Sequence, residues 1–286
     1  MPTPTPRLRL LSLGAGVQSS ALLLLAAQSA VPCFDYALFA DTGWEPPSVY
    51  AHLERLGAIA AEAGIPLHRV SAGNIRDDAL DAQHRFASMP LFITGANGER
   101  RMGRRQCTAE YKIRPLKKEA RRLLGYPHPN RVPEGVYAEQ SIGISTEEFH
   151  RAKDADVGYL GNRFPLIEIG WTRRDCRALL THHGLGDTPK SACVGCPFRS
   201  NESWAELKST EPEAFEDAVA FDAAIRHGPP AAASRGMPHG TFYLHRDRVP
   251  LGQVALGIDT GPEPEGCSPW SCRGEDPHDA DTGGAA

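Results

Sequence analysis

The sequence has no run of about 18 apolar residues, and Ala21 to Ala30 is too short to cross a bilayer as a helix. No secretory pattern is present in Met1 to Pro6, which is rich in Pro and Thr. These two absences lead us to expect a cytoplasmic protein with no membrane partner. No internal repeat is visible, and no RNA- or DNA-binding module is recognisable. A strong excess of either charge is missing too: the formal net charge is -4, so local patches rather than the total decide what the surface attracts. An even cysteine count is lacking, since there are seven, and two of them form Cys193-Val-Gly-Cys196. In a reducing compartment that spacing points to metal or redox chemistry rather than a disulfide framework. What remains is a chain of 286 residues, enough to bury one large α/β core with or without an appendage.

The most informative stretch runs from Leu8 to Leu25. An apolar run (Leu8, Leu10, Leu11, Leu13) breaks at Gly14-Ala15-Gly16, and a second apolar run follows Ser19-Ser20. This order reads as strand, tight loop and helix N-terminus, where free N–H groups and the positive end of the helix dipole favour phosphate. The loop has neither the Lys of a Walker loop nor a complete Gly-x-Gly-x-x-Gly. It resembles instead a pyrophosphate loop (PP-loop) of the type Ser-x-Gly-x-x-x-Ser, carried by Ser12, Gly14, Gly16, Ser19 and Ser20, with Ala15 and Gln18 inside it.

A β-type run from Phe34 to Ala40 delivers Asp41-Thr42-Gly43 to a strand's carboxyl end, where open α/β sheets bind ligands. Pro46 and Pro47 open a helix that Gly64 stops; Pro66 to Val70 is a third strand, and another helix starts near Asp77. This rhythm predicts a doubly wound, mostly parallel sheet of the Rossmann-like kind. Phe86 to Gln106 is irregular and reads as a mobile loop. Ser141 to Ser145 reads as a later strand with its turn. Thr172 and Asp175 form a capping-box-like pair at the start of a helix ending near His183. We expect a nucleotide-binding domain over 7–200, a helical C-terminal extension over 201–257 and a flexible tail over 258–286. Tyr243-Leu244-His245-Arg246 is a basic-aromatic patch best read as a packed strand with an exposed charge.

Cys33 and Cys176 read as small buried hydrophobes. Cys193 and Cys196 fill only half of a tetrahedral metal site. Cys107 is the best third ligand, because basic neighbours lower a thiol's pKa and favour the thiolate. Among these neighbours Arg104 and Arg105 are candidates for holding an anionic substrate, and Arg163 further on reads equally as a substrate contact or a structural salt bridge. Zinc held by three cysteines and His182, His183 or His245 is an alternative without redox chemistry.

Four blocks in order resemble the phosphoadenosine phosphosulfate (PAPS) reductase family of the PP-loop, adenine nucleotide α-hydrolase-like superfamily. They are Ser12 to Ser20; Phe39-Ala40-Asp41-Thr42-Gly43 with Tyr50 and Leu53; Cys107-Thr108-Ala109-Glu110-Tyr111-Lys112-Ile113-Arg114-Pro115-Leu116; and Ser191-Ala192-Cys193-Val194-Gly195-Cys196-Pro197. The resemblance spans roughly residues 8 to 200. It implies an enzyme that binds ATP or another adenine nucleotide, with or without Mg²⁺, through Ser12, Gly14, Ala15, Gly16, Gln18, Ser19, Ser20, Asp41, Thr42 and Gly43. Lys112 would stabilise charge developing in transfer.

In iron–sulfur members of the family a Cys-Cys pair and a later Cys-x-x-Cys hold a 4Fe-4S cluster. Cys107, Cys193 and Cys196 match three of those positions, while Thr108 replaces the second cysteine of the pair. Either Cys267 or Cys272 supplies the fourth ligand or one iron is open. An open iron suits ATP-dependent sulfur transfer to an adenylated acceptor, as in PP-loop tRNA thiolation enzymes. The alternative is a thioredoxin-dependent APS or PAPS reductase, with Cys267 or Cys272 as nucleophile in place of the missing Glu-Cys-Gly-Leu-His motif. The partners implied are a protein that supplies sulfur or electrons, a nucleic-acid acceptor and a second copy of the chain.

Overall fold

The computed structural model describes residues 5–84, 89–230 and 239–257. In chain order the elements are β1 (Leu8–Ser12), α1 (Val17–Ala27), β2 (Tyr36–Asp41), α2 (Pro47–Glu62), β3 (Leu67–Ser71), α3 (Ile75–Leu80), β4 (Phe92–Thr94) and β5 (Arg100–Met102). A π-helical turn (Ala109–Ile113) runs into α4 (Arg114–Leu123), followed by β6 (Ala138–Ile142), a 3-10 turn (Thr146–Arg151), β7 (Leu160–Arg163) and α5 (Pro165–Glu168). Then come α6 (Arg173–His182), α7 (Asn201–Thr210), α8 (Pro212–Ala224) and β8 (Thr241–Tyr243). No helix among the described residues is long and apolar enough to cross a membrane.

These elements form two compact units that interleave along the chain. The first takes the chain up to Ala72 and returns for Ala109–Ala192; the second takes Gly73–Thr108 and resumes at Cys193. Residues 73–108, read from the sequence as part of the nucleotide-binding domain, thus fold with the segment after Cys193.

The first unit holds a five-stranded sheet of order β3-β2-β1-β6-β7 in which every pairing is parallel. This is the doubly wound α/β fold expected from the alternation of strands and helices. Parallel strands covered on both faces need apolar residues on both, and Leu10 and Leu11 of β1 are each fully buried on opposite faces. One face packs α1, α2 and α6 through Leu22, Leu23, Leu53, Leu56 and Leu180; the other packs α4 through Leu10, Leu38, Leu116 and Ala120. Each fully buried leucine contributes about 1.5–3 kcal/mol relative to an exposed one. Helix α1 is apolar nearly all round because it is covered nearly all round. The capping box at α6 is present: Thr172 Oγ1 accepts from Asp175 N at 3.3 Å and Asp175 Oδ2 from Thr172 N at 2.9 Å.

In the second unit β5, β4 and β8 form an antiparallel sheet beside α3, α7 and α8. Asn74 caps α3 by accepting from Arg76 N and Asp77 N. Buried Asp222 of α8 accepts from Leu244 N at 2.7 Å and Leu251 N at 3.0 Å, joining helix, strand and the chain beyond it. Trp204 of α7 meets Phe215 of α8 edge-on at 6.4 Å. The hairpin of β4 and β5 corrects the expectation of an irregular mobile loop over Phe86 to Gln106. Its strands have three residues each, too few for a period-two pattern to register. Residues 85–88, part of that stretch, lie outside the described residues, as does the expected flexible tail 258–286. Cys176 is buried as expected and its thiol is pushed up to about 12 by that burial, but Cys33 is exposed, because it sits in the loop before β2 rather than in the core.

The end of β6 lies hard against the start of α1. A Cβ on Gly143 would sit 2.7 Å from Ser19 N and 2.9 Å from Gln18 C, both backbone atoms that have no room to yield. Gly143→Ala is expected to destabilise the protein by about 1–3 kcal/mol, read as a lower urea midpoint. An unchanged midpoint would show that the two segments separate freely.

Candidate phosphate site and cysteine turn

Strand β1 lies mid-sheet between β2, which follows it in the chain, and β6, to which the chain crosses over after β3. Ligands bind at the carboxyl ends of strands at such a switch point. The loop there is tied down by its own hydrogen bonds: Leu13 N donates to Leu38 O at 2.9 Å, Gly14 N to Ser19 Oγ at 3.1 Å, and Ser19 Oγ to Gly16 O at 3.2 Å. Ser191 Oγ donates to Gly14 O, so the segment before the cysteine turn also anchors the loop. Ala15 is fully buried with φ 54°, the left-handed conformation that costs a residue with a Cβ about 1–3 kcal/mol and is held only by its surroundings.

Gly16 is the N-cap of α1, and no side chain caps the helix. The first-turn N–H groups therefore face the loop as an anion site. Ser12 Oγ, at the last residue of β1 and in a residue 4% exposed, has no hydrogen-bond partner among the described residues. A buried hydroxyl left so is a place for a polar ligand or water.

The remaining loop side chains diverge. Gln18 Nε2 donates to Glu148 Oε2 at 2.9 Å, and Glu148 is held in turn by Arg151 at 2.5 Å; Arg151 is buried. Ser20 points the other way, into the core, where its hydroxyl pairs with His52 Nε2 at 3.0 Å. Ser20 thus fixes α1 against α2 from behind the loop. Burial, with help from the Arg55 charge, lowers His52 to about 4 from 6.5.

At the end of β2 the Asp41 carboxylate shapes the turn. It accepts from Gly43 N at 2.8 Å and Tyr50 Oη at 2.9 Å on one oxygen, and from Arg69 Nε at 2.8 Å on the other. Burial and this bond to Asp41 push the Tyr50 phenol up to about 12. Gly43 takes φ 73°, where a side chain would be strained. Thr42 Oγ1 donates to Glu45 Oε1 at 2.9 Å, and the same oxygen lies 3.8 Å from Lys112 Nζ. All three residues are buried. The π-helical turn puts Lys112 inside; such insertions recur at functional sites. Trp44 is buried.

Sequence reasoning missed Glu45, Ser191, Glu148, Arg151 and His52 as parts of this site. Glu45 and Ser191 stood within or beside the four blocks, but nothing in their spelling assigns a partner. Arg163 reads from the sequence as either a structural salt bridge or a substrate contact; it binds Glu168 through two bonds of 2.8 and 2.7 Å at the sheet edge and lies 3.5 Å from Glu139. Its charge has structural partners there.

The second unit carries Cys107, Cys193 and Cys196. Cys193 and Cys196 form a turn closed by Cys196 N to Cys193 O at 3.2 Å. Buried Arg199 donates from Nε to Cys193 O and Val194 O, each at 3.2 Å, and from Nη1 to Ser203 Oγ at 2.9 Å. A guanidinium thus stands behind the cysteine turn. Arg105 lies over the Phe198 ring at 4.5 Å, and Arg104 is exposed. Among the described residues no group of three or more His, Cys, Asp or Glu is placed to hold a metal. These three cysteines do not by themselves make a complete metal site. His245 bonds Asn201 at 2.9 Å, and His183 bonds Gln28 at 2.7 Å, so both have protein partners. Cys267 and Cys272 lie outside the described residues.

The first unit is an α/β fold with a glycine-containing loop and an uncapped helix N-terminus at its switch point. No family model and no curated protein matches the chain. Among solved structures, one that matches is a phosphoadenylyl-sulfate (PAPS) reductase from Candida auris in a phosphate complex. It shares 15% identity over 63% of this chain and 74% of that chain, with a TM-score of 0.37. Its name is that of the family the four sequence blocks resemble; what this chain does has to come from its own residues.

Because folding takes His52 from its ordinary 6.5 to about 4, the folded state holds it neutral while the unfolded chain takes up a proton. The stabilisation is complete above about 6.5 and is lost as the pH falls toward about 4. Urea midpoints across that window are expected to drop in the wild type, with a shallower drop in His52→Gln; equal slopes would detach His52 from the effect.

Proposed function

We propose that the chain is an adenine-nucleotide-dependent enzyme of sulfur chemistry whose first unit binds ATP and adenylates an acceptor. The observation that supports it most is the uncapped N-terminus of α1 at the end of β1, whose last residue, Ser12, has a buried hydroxyl with no partner among the described residues. In the proposed step an acceptor oxygen attacks the α-phosphorus of ATP, forming a P–O bond as the bond to pyrophosphate breaks. Pyrophosphate carries off the negative charge. The N–H groups of the first turn of α1 bind phosphate oxygens. Lys112, held at Glu45, neutralises charge that builds on the transferring group. Thr42, Gly43 and Asp41 keep the β2 turn, and with it Glu45, in place.

The role of Gly16 and Lys112 is separable. Gly16→Val is expected to abolish ATP binding, since a Cβ there already falls 3.1 Å from Ser191 Cβ. Lys112→Met is expected to keep ATP binding and lower ATP-dependent pyrophosphate release by about 10²–10³-fold. Isothermal titration and a pyrophosphate assay read the two. Sulfite release from adenylyl sulfate or PAPS with thioredoxin, and none of pyrophosphate from ATP, would replace adenylation by the reductive reading.

The 4Fe-4S cluster is a proposal about the second unit, and no chemical step is assigned to it. Support comes from the sequence positions of Cys107, Cys193 and Cys196 and from Arg199, a cation behind the Cys193–Cys196 turn suited to an anionic centre. When bound, such a cluster would supply electrons or a site for sulfide. Protein purified without oxygen is expected to contain iron and acid-labile sulfide that Cys193→Ala and Cys196→Ala each remove. Zinc without sulfide, or unchanged iron in both variants, would overturn it.

A further inference from the structure

The antiparallel sheet of the second unit has one closed and one open face. Register sets them apart: Ile93 pairs with Arg101 and Phe242, and Ile93 and Phe242 are buried. The opposite face carries two rows, Met102-Phe92-Tyr243 and Arg100-Thr94-Thr241, and none of these six residues is buried. Two aromatic rings therefore stand side by side on a sheet face that is half-buried rather than closed. Each has a guanidinium over it: Arg248 lies 5.5 Å from the centre of the Phe92 ring and Arg226 lies 4.1 Å from that of Tyr243.

The charge on this face is positive and only partly matched. Arg226 is paired with Asp222. Among the described residues Arg248 donates only to main-chain oxygens, those of Ile93 at 3.2 Å, Arg246 at 3.2 Å and Arg101 at 3.1 Å. Arg100 is exposed and makes no ion pair among the described residues. Burial, and the like charge of Arg100 close by, lower the pKa of Arg248, which places the two cations in one field. Glu99 is turned to Arg101, at 3.1 Å.

We propose that the open face of the β5-β4-β8 sheet binds single-stranded nucleic acid, with bases stacking at the arginine-capped rings of Phe92 and Tyr243 and phosphate drawn to Arg100 and Arg248. Aromatic and guanidinium planes take any base by its face, and cations at the edge of the platform follow the backbone. Duplex fits poorly, because its bases are already stacked and only its phosphates are offered. The surface lies wholly in the second unit, so the proposal does not depend on the adenylation reading.

The experiment is fluorescence anisotropy of the full chain with a labelled single-stranded RNA of mixed sequence, about twelve nucleotides long, and with the same sequence as duplex. Single strand is expected to bind more tightly than duplex, and more weakly as salt rises. Tyr243→Ser is expected to cost about tenfold in affinity for the single strand, as is Arg100→Glu, whose exposed side chain has no packing role. Circular dichroism checks that both variants stay folded; if Tyr243→Ser unfolds, Arg100→Glu alone decides. Equal affinity for single strand and duplex would reveal a general polyanion surface and overturn the stacking. No binding at low salt, or folded variants that bind as the wild type does, would overturn the proposal outright.

Discussion

The site depends on how closely two backbones can approach. Gly143, just past β6, has no side chain, and that is what lets the start of α1 settle against it. Had the helix been held further off, its first-turn N–H groups would point elsewhere than the switch point of the sheet. The other restraints act on this one contact: Ser19 and Ser191 fasten the loop, and Ser20 with His52 braces the helix from behind. Ala15 keeps its left-handed backbone because these bonds leave it no relaxed alternative.

Two short chains of polar side chains flank the loop in the first unit. On the β2 side Thr42, Glu45 and Lys112 run from a strand end to a π-helical turn; on the β6 side Arg151, Glu148 and Gln18 run back to α1. Both bury charge, and buried charge is tolerated only when matched. The matching fixes the residues in position before any ligand arrives, which is what electrostatic stabilisation of a reaction requires.

Much of this was legible in the sequence, and the reason is local. The apolar run of β1, the break at Gly14-Ala15-Gly16 and the apolar run of α1 are neighbours in the chain, so periodicity and turn chemistry reveal them without knowledge of the fold. The capping box of Thr172 and Asp175 is local in the same way. The β4–β5–β8 sheet was hidden because its strands are short and its β4–β8 pairing joins distant segments, with Phe92 opposite Tyr243. Glu45 and Ser191 were hidden for a related reason: a side chain's partner across the fold leaves no mark on its neighbours in the chain. Arg163 is a similar case, since the sequence leaves a salt bridge and a substrate contact open for it, and only the fold brings Glu139 and Glu168 beside it.

The interleaving of the two units also has a consequence for synthesis. The first unit can close once residue 192 has emerged from the ribosome, because all its strands and helices precede that point. The β4–β5 hairpin emerges earlier but has no third strand until Thr241–Tyr243 follows. A hairpin alone is marginal in water, and it carries an unpaired edge throughout that wait. That edge belongs to β4; the other strand, β5, stays at the edge of the finished sheet and opens with Arg100 and Arg101, charged residues that discourage pairing with another chain there.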